Sequence, residues 1–485
     1  MKPPKLNLYI PYISKIKDIA NKLGVNIWIV GGFLRDFYLK VDKEFLDFDF
    51  CVEKNTLDFV EEFSKLFSFK YIVLDEKNLT FRVIIKRKEK IYNYDFTNMR
   101  GRDIKEDLFL RDFSINTLAI NINDKKLKVL DYFNAKKDLD NRIIKVVNEK
   151  NFLDDPLRIL RAFFFMANYN FKIENNTLKA ISKYKNFLNK VSGERINEEL
   201  FKILKAKKSY KAIKLMSNLK IIDIIIPQIK NTRGVSQGRY HHLDVWEHSL
   251  ETLLQFENMY NKKLYKDRDL FRYLNTEIIQ NRTRLQVIKL ACLLHDIGKP
   301  KAKSKKKKKT IFYCHEKIGK EIIERITERL KFANKIKETL QRLVFWHLRP
   351  GYLADQVKPS KRAIYRFFRD TSEDGISVIL LSLADWKATR GPLTSKIRRK
   401  KHQDVMFKII KDYFNEKNKK PLPKLIDGYD IMDRFNIQPS PLVGKILKKI
   451  KEEQALGNIN TKKEALKIAR EVIKNENQRY RDISN

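Results

Sequence analysis

The chain has 485 residues, of which 43% are hydrophobic, and it carries 102 Lys and Arg residues against 60 Asp and Glu residues. A single hydrophobic core does not grow to this length, so we expect several domains. The net charge of +42 argues against an enzyme with small neutral substrates and is typical of a protein that binds a polyanion, nucleic acid above all. The alternative explanation is a lysine-rich genome that fills protein surfaces with this residue.

The sequence gives no sign of a membrane or an export route. No stretch has the apolar length that crossing a bilayer requires, and the N-terminus lacks the apolar core of a signal peptide. Three scattered cysteines, Cys51, Cys292 and Cys314, argue against a disulfide framework and for a reducing compartment. We therefore expect a cytoplasmic protein without a membrane partner. The sequence does not indicate an oligomeric state.

Short alternating runs that predict strands are mixed with helical patterns over residues 26–130, as expected of an α+β domain. The first strand pattern, IWIV, ends at Gly31 and Gly32 and precedes a helical pattern that carries Arg35. Paired glycines let backbone N–H groups approach a phosphate, and a helix N-terminus favours its negative charge. Since Arg35 adds a cation one turn later, this segment predicts a triphosphate-binding turn.

Two acids follow in the next strand pattern, LDFDF, where Asp47 and Asp49 alternate with large apolar residues. In a strand these aspartates share one face while the apolar residues enter the core. Carboxylates at this spacing repel each other unless a cation lies between them, and their oxygens suit Mg²⁺. Asp95, on the polar side of KIYNYDF, supplies a third acid for ions that activate a hydroxyl and stabilise a leaving pyrophosphate. The alternative is an edge strand with solvated acids.

Six motifs occur in a fixed order across the N-terminal half of the chain. They are VGGFLRD (30–36), LDFDF (46–50), RDFSINTLAI (111–120), DYFNAKKDLDNRIIKVV (131–147), DDPLRILRA (154–162) and SGERINEEL (192–200). Together they resemble the nucleotidyltransferases of the DNA polymerase β superfamily, specifically the branch of bacterial tRNA CCA-adding enzymes and poly(A) polymerases. The resemblance implies that Arg111 and Asp112 contact the ribose and phosphate of the incoming nucleotide.

The motif DDPLRILRA also has a physical interpretation of its own. On a helix, Asp155, Arg158 and Arg161 would lie on one face. Cytosine and adenine both present an exocyclic amino donor beside a ring-nitrogen acceptor, so an adjacent carboxylate and guanidinium could select either base without a template. The alternative is an ion pair on a helix surface, which contributes little stability.

Two departures from the family pattern concern the bases that are added. Phe164 stands where many members have another nucleotide-contacting Arg. Only 15 residues, 96–110, separate Asp95 from Arg111, whereas members that add the terminal A usually carry a longer flexible loop here. A CC-adding enzyme is therefore an alternative to a full CCA-adding enzyme.

Histidine and aspartate residues mark a second candidate site in the C-terminal half. Six of them lie beside apolar helical runs from different segments: His248, His295, Asp296, His315, His347 and Asp385. Such placement can bring imidazoles and carboxylates from several helices to one interior point, as metal sites in helical domains require. The order of these residues resembles the HD phosphohydrolase family. The resemblance implies a metal-bound hydroxide that attacks a phosphate ester, for example a 2′,3′-cyclic phosphate at a tRNA end.

These observations predict an α+β fold, with a polymerase-β-like head built on a mixed sheet and an all-α remainder. The expected domains are a catalytic head (1–145), a helical neck and body that selects the base and binds RNA (146–232), an HD domain (233–395) and a basic helical tail that binds tRNA (396–485). The expected function is transfer of CMP, with AMP left open, from CTP or ATP to the tRNA 3′ end. Mg²⁺ is expected in the head, and a divalent transition metal or Mg²⁺ in the HD domain. Two alternatives are a poly(A) polymerase and an HD phosphohydrolase with an RNA-binding head.

Overall fold

The structure, a computed structural model, describes residues 10–41, 46–87, 89–306, 309–356, 359–417 and 422–484. It divides into two compact units, residues 1–225 and 226–485. The finer division into four domains stays a prediction.

The first unit contains a sheet and a set of helices. Its strands are β1 (Ile27–Val30), β2 (Asp47–Val52), β3 (Tyr71–Asp75), β4 (Thr80–Arg87), β5 (Lys90–Asn98), β6 (Ala119–Asn121), β7 (Val129–Leu130), β8 (Ile143–Ile144) and β9 (Lys172–Ile173). Its α-helices are α1 (Ile13–Leu23), α2 (Gly32–Tyr38), α3 (Thr56–Lys65), α4 (Ile104–Phe109), α5 (Ala135–Asp140), α6 (Asn151–Asp154), α7 (Arg158–Tyr169), α8 (Asn175–Tyr184), α9 (Gly193–Lys205), α10 (Tyr210–Asn218) and α11 (Ile222–Ile225).

Seven of these strands form one sheet in the order β3-β4-β5-β2-β1-β6-β7. The sheet is mixed because β2 and β5 are parallel, whereas every other neighbouring pair is antiparallel. The register places Asp49 opposite Val30, the last residue of β1, and opposite Asp95 on β5. The turn that follows β1 therefore adjoins the strand that carries the acids.

The central strand β2 alternates as its sequence predicts. Phe48 and Phe50 are buried, and the ring of Phe50 lies 5.1 Å from that of Phe96 on β5, a separation typical of favourable aromatic pairs. Burial of these rings turns Asp47 and Asp49 to the opposite face of the sheet, where Asp47 is exposed and Asp49 is half-buried.

The helices that follow the sheet each bury one face. In α9 the buried apolar residues Ile196, Leu200, Ile203 and Leu204 recur at i, i+4, i+7 and i+8, the spacing of an amphipathic helix packed on a core. Helix α7 ends at Asn170, whose φ of 56° is the left-handed conformation that often terminates a helix.

The second unit is mainly helical. Its α-helices are α12 (Val245–Lys262), α13 (Arg268–Asn275), α14 (Arg284–Leu294), α15 (Lys299–Ala302), α16 (His315–Arg329), α17 (Asn334–Trp346), α18 (Arg349–Asp355), α19 (Lys361–Thr371), α20 (Gly375–Ala388), α21 (Lys396–Lys417), α22 (Gly428–Phe435), α23 (Pro441–Ala455) and α24 (Lys462–Ser484). Two hairpins add the short strands β10 (Glu277–Ile279), β11 (Arg282–Thr283), β12 (Lys303–Lys306) and β13 (Lys309–Phe312).

Two helices form the centre of this unit. All eleven residues of α14 are buried, as are most of those in α20, so both helices occupy core positions. A capping box at Thr283 and Gln286 satisfies backbone donors where α14 begins. Helices α22, α23 and α24 share a separate cluster of buried apolar residues that includes Ile431, Ile446 and Ala465.

The predicted fold class, an α+β head with a mixed sheet followed by a helical remainder, is confirmed. Across the described ranges, each helix is too short or too polar to span a lipid bilayer.

Candidate active site

The turn after β1 brings the glycine pair against the first acid. Gly31 has a φ of 75°, and a Cβ atom built on it would lie 2.8 Å from Asp49 Oδ2 and 3.4 Å from Arg111 Nη1. Both the backbone conformation and the lack of space therefore require glycine here. The backbone N–H of Gly32 donates a hydrogen bond to the Asp49 carboxylate. The predicted phosphate turn and the predicted metal acid are thus direct neighbours.

The three predicted catalytic acids have different immediate partners. Asp47 Oδ1 accepts a hydrogen bond of 2.7 Å from the Asn93 side chain. Asp95 is held by two hydrogen bonds of 2.7 Å from Arg82, the residue opposite it on β4. Burial raises the pKa of Asp49, and Asp95 raises it further, although Arg111 has the opposite effect.

A cleft of about 700 Å³ opens over Asp49. All eight nucleotide-binding residues predicted from the sequence line it: Gly31, Gly32, Arg35, Arg111, Asp112, Asp155, Arg158 and Arg161. Asp47 and Asp95 are not among the described residues that line the cleft. The concentration of arginines next to a carboxylate suits a ligand that is itself anionic and is held beside a cation.

Arg35 makes more contacts with other protein residues than the sequence predicts. Its side chain is 7% exposed and donates hydrogen bonds to Asp36 Oδ1 (2.8 Å), Asn116 Oδ1 (2.7 Å) and the Tyr169 hydroxyl (3.0 Å). The guanidinium also lies 4.9 Å from the centre of the Phe165 ring. Arg35 therefore fixes the wall of the cleft, and direct contact with a triphosphate stays a prediction.

Asp112 is a buried acid that holds other site residues in place. Its Oδ1 accepts hydrogen bonds from the Phe113 backbone N–H (2.8 Å) and from Asn116 (2.9 Å), and its Oδ2 lies 3.1 Å from Arg161 Nη2. Burial alone raises the pKa of Asp112, but Arg161 and these hydrogen bonds outweigh it and bring the pKa below its usual value. The carboxylate is therefore ionised and positions Arg161.

The predicted geometry of the base-reading pair is wrong in one respect. Asp155 does not lie on a helix with Arg158, because it is the extended residue between α6 and α7, with φ −143° and ψ 96°. Its carboxylate forms an ion pair with Arg195 of α9, at 3.0 Å. Arg158 begins α7 and donates a hydrogen bond to the Asn151 carbonyl. Both groups still line the cleft.

Sequence reasoning missed Arg195 and Asn116 as site residues. Both occur inside motifs that carried the family resemblance, SGERINEEL and RDFSINTLAI, so their presence there was the available signal. Arg100, which also lines the cleft, donates a hydrogen bond of 3.2 Å to the buried Asp107. It lies in the segment between Asp95 and Arg111 that is short for an A-adding enzyme.

That segment is ordered locally. After β5 ends at Asn98, five residues lead to α4, whose N-cap Asp103 accepts a hydrogen bond from the Glu106 backbone N–H. Arg102 pairs with Glu106 at 2.5 Å. Six of the 15 residues in this segment therefore form a capped helix.

A second candidate site lies inside the other unit, where helix ends converge. Helix α12 supplies His248 and α20 supplies Asp385, whereas His295 and Asp296 directly follow α14. His315 is the first residue of α16, and His347 directly follows α17. The structure thus gathers the six residues that the sequence predicts.

Asp296 is the centre of this cluster. Its Oδ2 lies 3.2 Å from His295 Nε2 and 3.8 Å from His248 Nε2, while its Oδ1 lies 3.4 Å from His315 Nε2 and 3.7 Å from His347 Nε2. His248, His295 and Asp296 form one group whose candidate ligand atoms lie within 4.8 Å of one another, and Asp296, His315 and His347 form another. One carboxylate shared between two such groups fits a pair of divalent ions.

The ring orientations of the histidines suit metal binding. The Nδ1 atoms of His295, His315 and His347 each lie 2.6–3.0 Å from the carbonyl of the residue three positions earlier. Donation of Nδ1–H to a carbonyl leaves the Nε2 lone pair available as a ligand. His295 Nε2 is buried and lies 3.2 Å from Asp296 Oδ2, so the two atoms are close enough to bind one ion. Burial lowers the pKa of His347 to about 3, so its ring is neutral at physiological pH.

Three further residues border this cluster and were not predicted. Lys299, three positions after Asp296, donates hydrogen bonds to Asp296 Oδ2 (2.6 Å) and to Gln237 (2.7 Å). The His241 ring lies 4.7 Å from that of His248. A cavity of about 370 Å³ reaches Asp296, Asp385, His241 and Lys299. The signal for Lys299 was its position in the same HDIGK segment as the ligands.

Three family models match this chain. The model described as "Poly A polymerase head domain" matches residues 27–145, that described as "Probable RNA and SrmB-binding site of polymerase A" matches residues 170–232, and that described as "HD domain" matches residues 245–390. The first covers the strands with the candidate acids, and the third contains all six residues of the histidine and aspartate cluster.

Characterised relatives span most of the chain. An A-adding tRNA nucleotidyltransferase of Deinococcus radiodurans is 28% identical over 370 residues, which are 75% of this chain and 78% of that protein. A CC-adding tRNA nucleotidyltransferase of Thermus thermophilus is 27% identical over 445 residues, which are 90% and 91% of the two chains.

Solved structures share the fold. The apo form of a CCA-adding enzyme has a TM-score of 0.64 at 21% identity and covers 96% of both chains. A CCA-adding enzyme of Thermotoga maritima complexed with tRNA has a TM-score of 0.61 at 21% identity, over 98% of this chain and 96% of that one. Together with the ordered motifs and the glycine turn against Asp49, the matched models show that the chain carries a poly(A) polymerase head domain, an RNA-binding region of polymerase A and, after them, an HD domain.

Proposed function

We propose that this chain adds CMP from CTP to the 3′ end of tRNA without a nucleic-acid template, and so matures or repairs the CCA end. The observation that supports this most directly is one cleft lined by Asp49, by the Gly31 turn and by the Asp155 and Arg158 side chains. A nucleotidyltransferase must bring an acid, a phosphate-binding turn and base-reading groups to one nucleotide. The net charge of +42 suits tRNA as the partner, and the three free cysteines suit a cytoplasmic location.

In this reaction the tRNA 3′-hydroxyl oxygen bonds to the α-phosphorus of CTP, and the bond between the α-phosphorus and the bridging oxygen breaks to release pyrophosphate. The Gly31 turn and the N-terminus of α2 would hold the triphosphate through backbone N–H groups. Arg111 lies beside Asp49 and would offset phosphate charge. Asp112 would act by positioning Arg161.

Nucleotidyltransferase heads and HD domains generally use divalent metals. The head suits Mg²⁺, because Asp47 and Asp49 share one face of β2 and Asp49 lies opposite Asp95 on the neighbouring strand β5. When bound there, Mg²⁺ lowers the pKa of the attacking hydroxyl and offsets the charge of the pyrophosphate. Asp95 would be the third acid, with its carboxylate oriented by Arg82.

The base would be selected by a carboxylate and a guanidinium from separate elements. Arg195 fixes the Asp155 carboxylate, and the Asn151 carbonyl fixes Arg158. Asp155 would accept a hydrogen bond from the exocyclic amino group of cytosine, and Arg158 would donate to the neighbouring ring nitrogen. Uracil reverses this pattern and would leave both groups mispaired.

Whether AMP is added as well depends on the chain between Asp95 and Arg111. Its content of helix α4 supports a CC-adding enzyme within this proposal, because six of its 15 residues are held in a capped helix. The test is to offer labelled CTP and ATP separately to tRNAs that end at the discriminator base, after one cytidine or after two. We expect CMP incorporation on the first two tRNAs and none from ATP on the third; efficient AMP incorporation would identify a full CCA-adding enzyme.

Poly(A) polymerase is the alternative within the same family. It predicts long products from ATP alone, whereas tRNA end repair stops after two or three nucleotides. Product length on a tRNA without its CCA end therefore separates the two activities. Failure to incorporate any nucleotide would contradict both and favour the HD phosphohydrolase with an RNA-binding head.

A second activity is proposed for the HD centre, because Asp296 and five further candidate ligand residues meet at one point. We infer that this centre binds divalent metal and hydrolyses a phosphate ester such as a 2′,3′-cyclic phosphate at a tRNA end. Its imidazole-rich ligands favour a transition metal over Mg²⁺. The test is metal analysis of the purified protein, combined with hydrolysis of a tRNA that ends in a cyclic phosphate.

A further inference from the structure

A basic pocket of about 340 Å³ lies in the second unit among α12, α20 and α21, and neither activity above uses it. Ten residues line it, and five of them are cationic: Lys387, Arg390, Lys396, Arg399 and Lys400. No carboxylate is among the described residues that line it. Because like charges so close together repel, this arrangement gains from an anion that lies between them.

Three of these cationic residues belong to α21. Lys396, Arg399 and Lys400 are spaced at i, i+3 and i+4, which places them on one face of the first turns of the helix. Lys387, near the end of α20, and Arg390, just beyond it, face the same space.

Two arginines are held in place mainly by neutral oxygens. Arg399 Nη1 donates to the Thr389 carbonyl (3.2 Å) and to the Thr394 hydroxyl (2.8 Å). Arg390 Nε donates to the Lys387 carbonyl (3.1 Å), and its Nη2 lies 3.6 Å from Glu251. These contacts orient the guanidinium groups while leaving most of the positive charge in the pocket without a carboxylate beside it.

His402 provides an independent indication of a ligand. The residue is 2% exposed, lines the pocket, and stacks on Trp386 with ring centres 4.4 Å apart and planes 6° apart. Neither ring nitrogen has a hydrogen-bond partner among the residues that the structure describes. A buried polar atom without a partner destabilises the folded protein, so a bound group with suitable oxygens would be stabilised here.

We propose that this pocket binds a phosphate group of a nucleotide or an RNA strand. A phosphate offers several acceptor oxygens and negative charge, which match the cationic side chains and the ring N–H of His402. Trp386 and Arg399 also line the cavity that reaches Asp296 and Asp385, so the bound phosphate would lie next to the HD centre. Binding at this pocket does not require that the HD centre hydrolyses anything.

The test uses the full chain, freed of metal by chelation and labelled with ¹⁵N at histidine. Inorganic phosphate is titrated while the ring resonances are followed by NMR, and the His402→Gln variant identifies the signal of His402. We expect this signal to shift saturably with phosphate. An unchanged His402 signal throughout the titration would overturn the proposal.

Two exposed lysines of α21 form a matched pair for this experiment. Lys400 lines the pocket, whereas its neighbour Lys401 does not. We expect Lys400→Gln to weaken phosphate binding at His402 several-fold and Lys401→Gln to leave it unchanged. Equal weakening in both variants would show general screening by a basic surface and would contradict a defined site.

Repeating the titration with CMP and with a short single-stranded RNA distinguishes the two possible sources of the phosphate, a nucleotide and an RNA strand. Tighter binding of the RNA, weakened by Lys400→Gln, would identify a strand, whereas equal binding of CMP and RNA would identify the phosphate of a single nucleotide. If both bind more weakly than inorganic phosphate, the pocket holds an adventitious ion only and the proposal fails. Because no turnover is measured, an inactive HD centre would not change these outcomes.

Discussion

The two candidate metal centres are built in opposite ways. In the head, the acids lie on sheet strands, Asp49 faces an open cleft lined by arginines, and Asp47 and Asp95 are engaged by Asn93 and Arg82. In the HD centre, the ligands come mostly from helix ends around the buried Asp296. The first arrangement leaves room for a large, highly charged substrate that brings its own phosphates. The second forms a compact ligand set before any substrate arrives.

This contrast indicates how each centre keeps its geometry. In the HD centre, backbone carbonyls fix the rings of His295, His315 and His347 at Nδ1, so loss of one of these ligands leaves the other two in place. In the head, orientation comes from β-sheet register and from charge pairs that the incoming nucleotide can rearrange. The head should therefore be more sensitive to substitutions in neighbouring residues than the HD centre.

The largest effect is expected for Asp49→Ala. It removes the one predicted metal acid that lines the cleft. Because this should remove several kcal/mol of transition-state stabilisation, we expect the rate of CMP incorporation to fall by about 10³-fold or more. Single-turnover incorporation of labelled CTP measures the effect. Hydrolysis by the HD centre of the same variant is the control and should be unchanged. Normal incorporation by Asp49→Ala would remove the basis of the proposed function.

The corresponding change in the second centre is His295→Ala. We expect loss of bound metal and a fall in phosphate-ester hydrolysis of about 10²-fold, because His295 Nε2 is a buried candidate ligand atom. Metal content by mass spectrometry and hydrolysis of a cyclic-phosphate tRNA end measure it, while CMP incorporation should stay at the wild-type rate. Unchanged metal content and hydrolysis would show that His295 does not bind metal.

Gly31→Ala tests the turn that joins the phosphate site to the acid. The new Cβ would lie 2.8 Å from Asp49 Oδ2, so we expect incorporation to fall by about 10–100-fold as the carboxylate moves. Gly24→Ala is the matched control, because Gly24 has a similar φ of 63° but open space around a new Cβ. The backbone alone should cost Gly24→Ala about 1 kcal/mol of stability and Gly31→Ala more, because Gly31, with a ψ of −141°, lies outside the left-handed helical region of Gly24. Equal incorporation by the two variants would contradict a role for the turn in placing Asp49.

Local sequence rules account for much of this head. The alternation of LDFDF predicts which side chains of β2 enter the core, because side-chain direction in a strand depends only on its two-residue period. The position of Asp155 was predicted wrongly, although the sequence contains the reason: a residue before proline is disfavoured in the helical region, and Pro156 follows. The helix therefore begins after the proline, at Arg158.

Long-range partners could not be predicted from the sequence. Arg35 is fixed by Asn116 and by Tyr169, which are 81 and 134 residues away along the chain, and no local pattern specifies such contacts. Arg195 reaches Asp155 across 40 residues for the same reason. Sequence motifs indicated which residue types belong to the site, whereas the packing of α7 and α9 decides which of them touch.

Arg195→Gln tests the base-reading end of the cleft. Loss of the ion pair with Asp155 should free that carboxylate and reduce the preference for CTP over UTP by about tenfold, within the 1–3 kcal/mol of a specific base contact. The ratio of kcat/KM values for the two nucleotides measures this. Lys205→Gln, on the same helix but outside the cleft, should leave the ratio unchanged. Equal ratios in both variants would show that Arg195 does not orient Asp155.

We expect the smallest effect from Asp112→Asn, and this effect is on the free energy of unfolding. Its sign follows from the lowered pKa of Asp112. Arg161 and two hydrogen bonds outweigh the effect of burial, so the ionised carboxylate stabilises the folded state. This contribution is complete above the unfolded-state pKa of about 3.9 and is lost as pH falls from there through the lower folded-state pKa.

The free energy of unfolding should therefore differ most between wild type and Asp112→Asn near pH 7, and the difference should shrink below about pH 4. Urea denaturation followed by hydrogen exchange of β1 and β6 peptides measures the stability of the first unit. Asp58→Asn, an exposed position on α3, is the control and should show a smaller difference at neutral pH. A difference for Asp112→Asn that stays constant from pH 7 to below pH 4 would mean that the charge of Asp112 does not stabilise the head, and its role would reduce to packing.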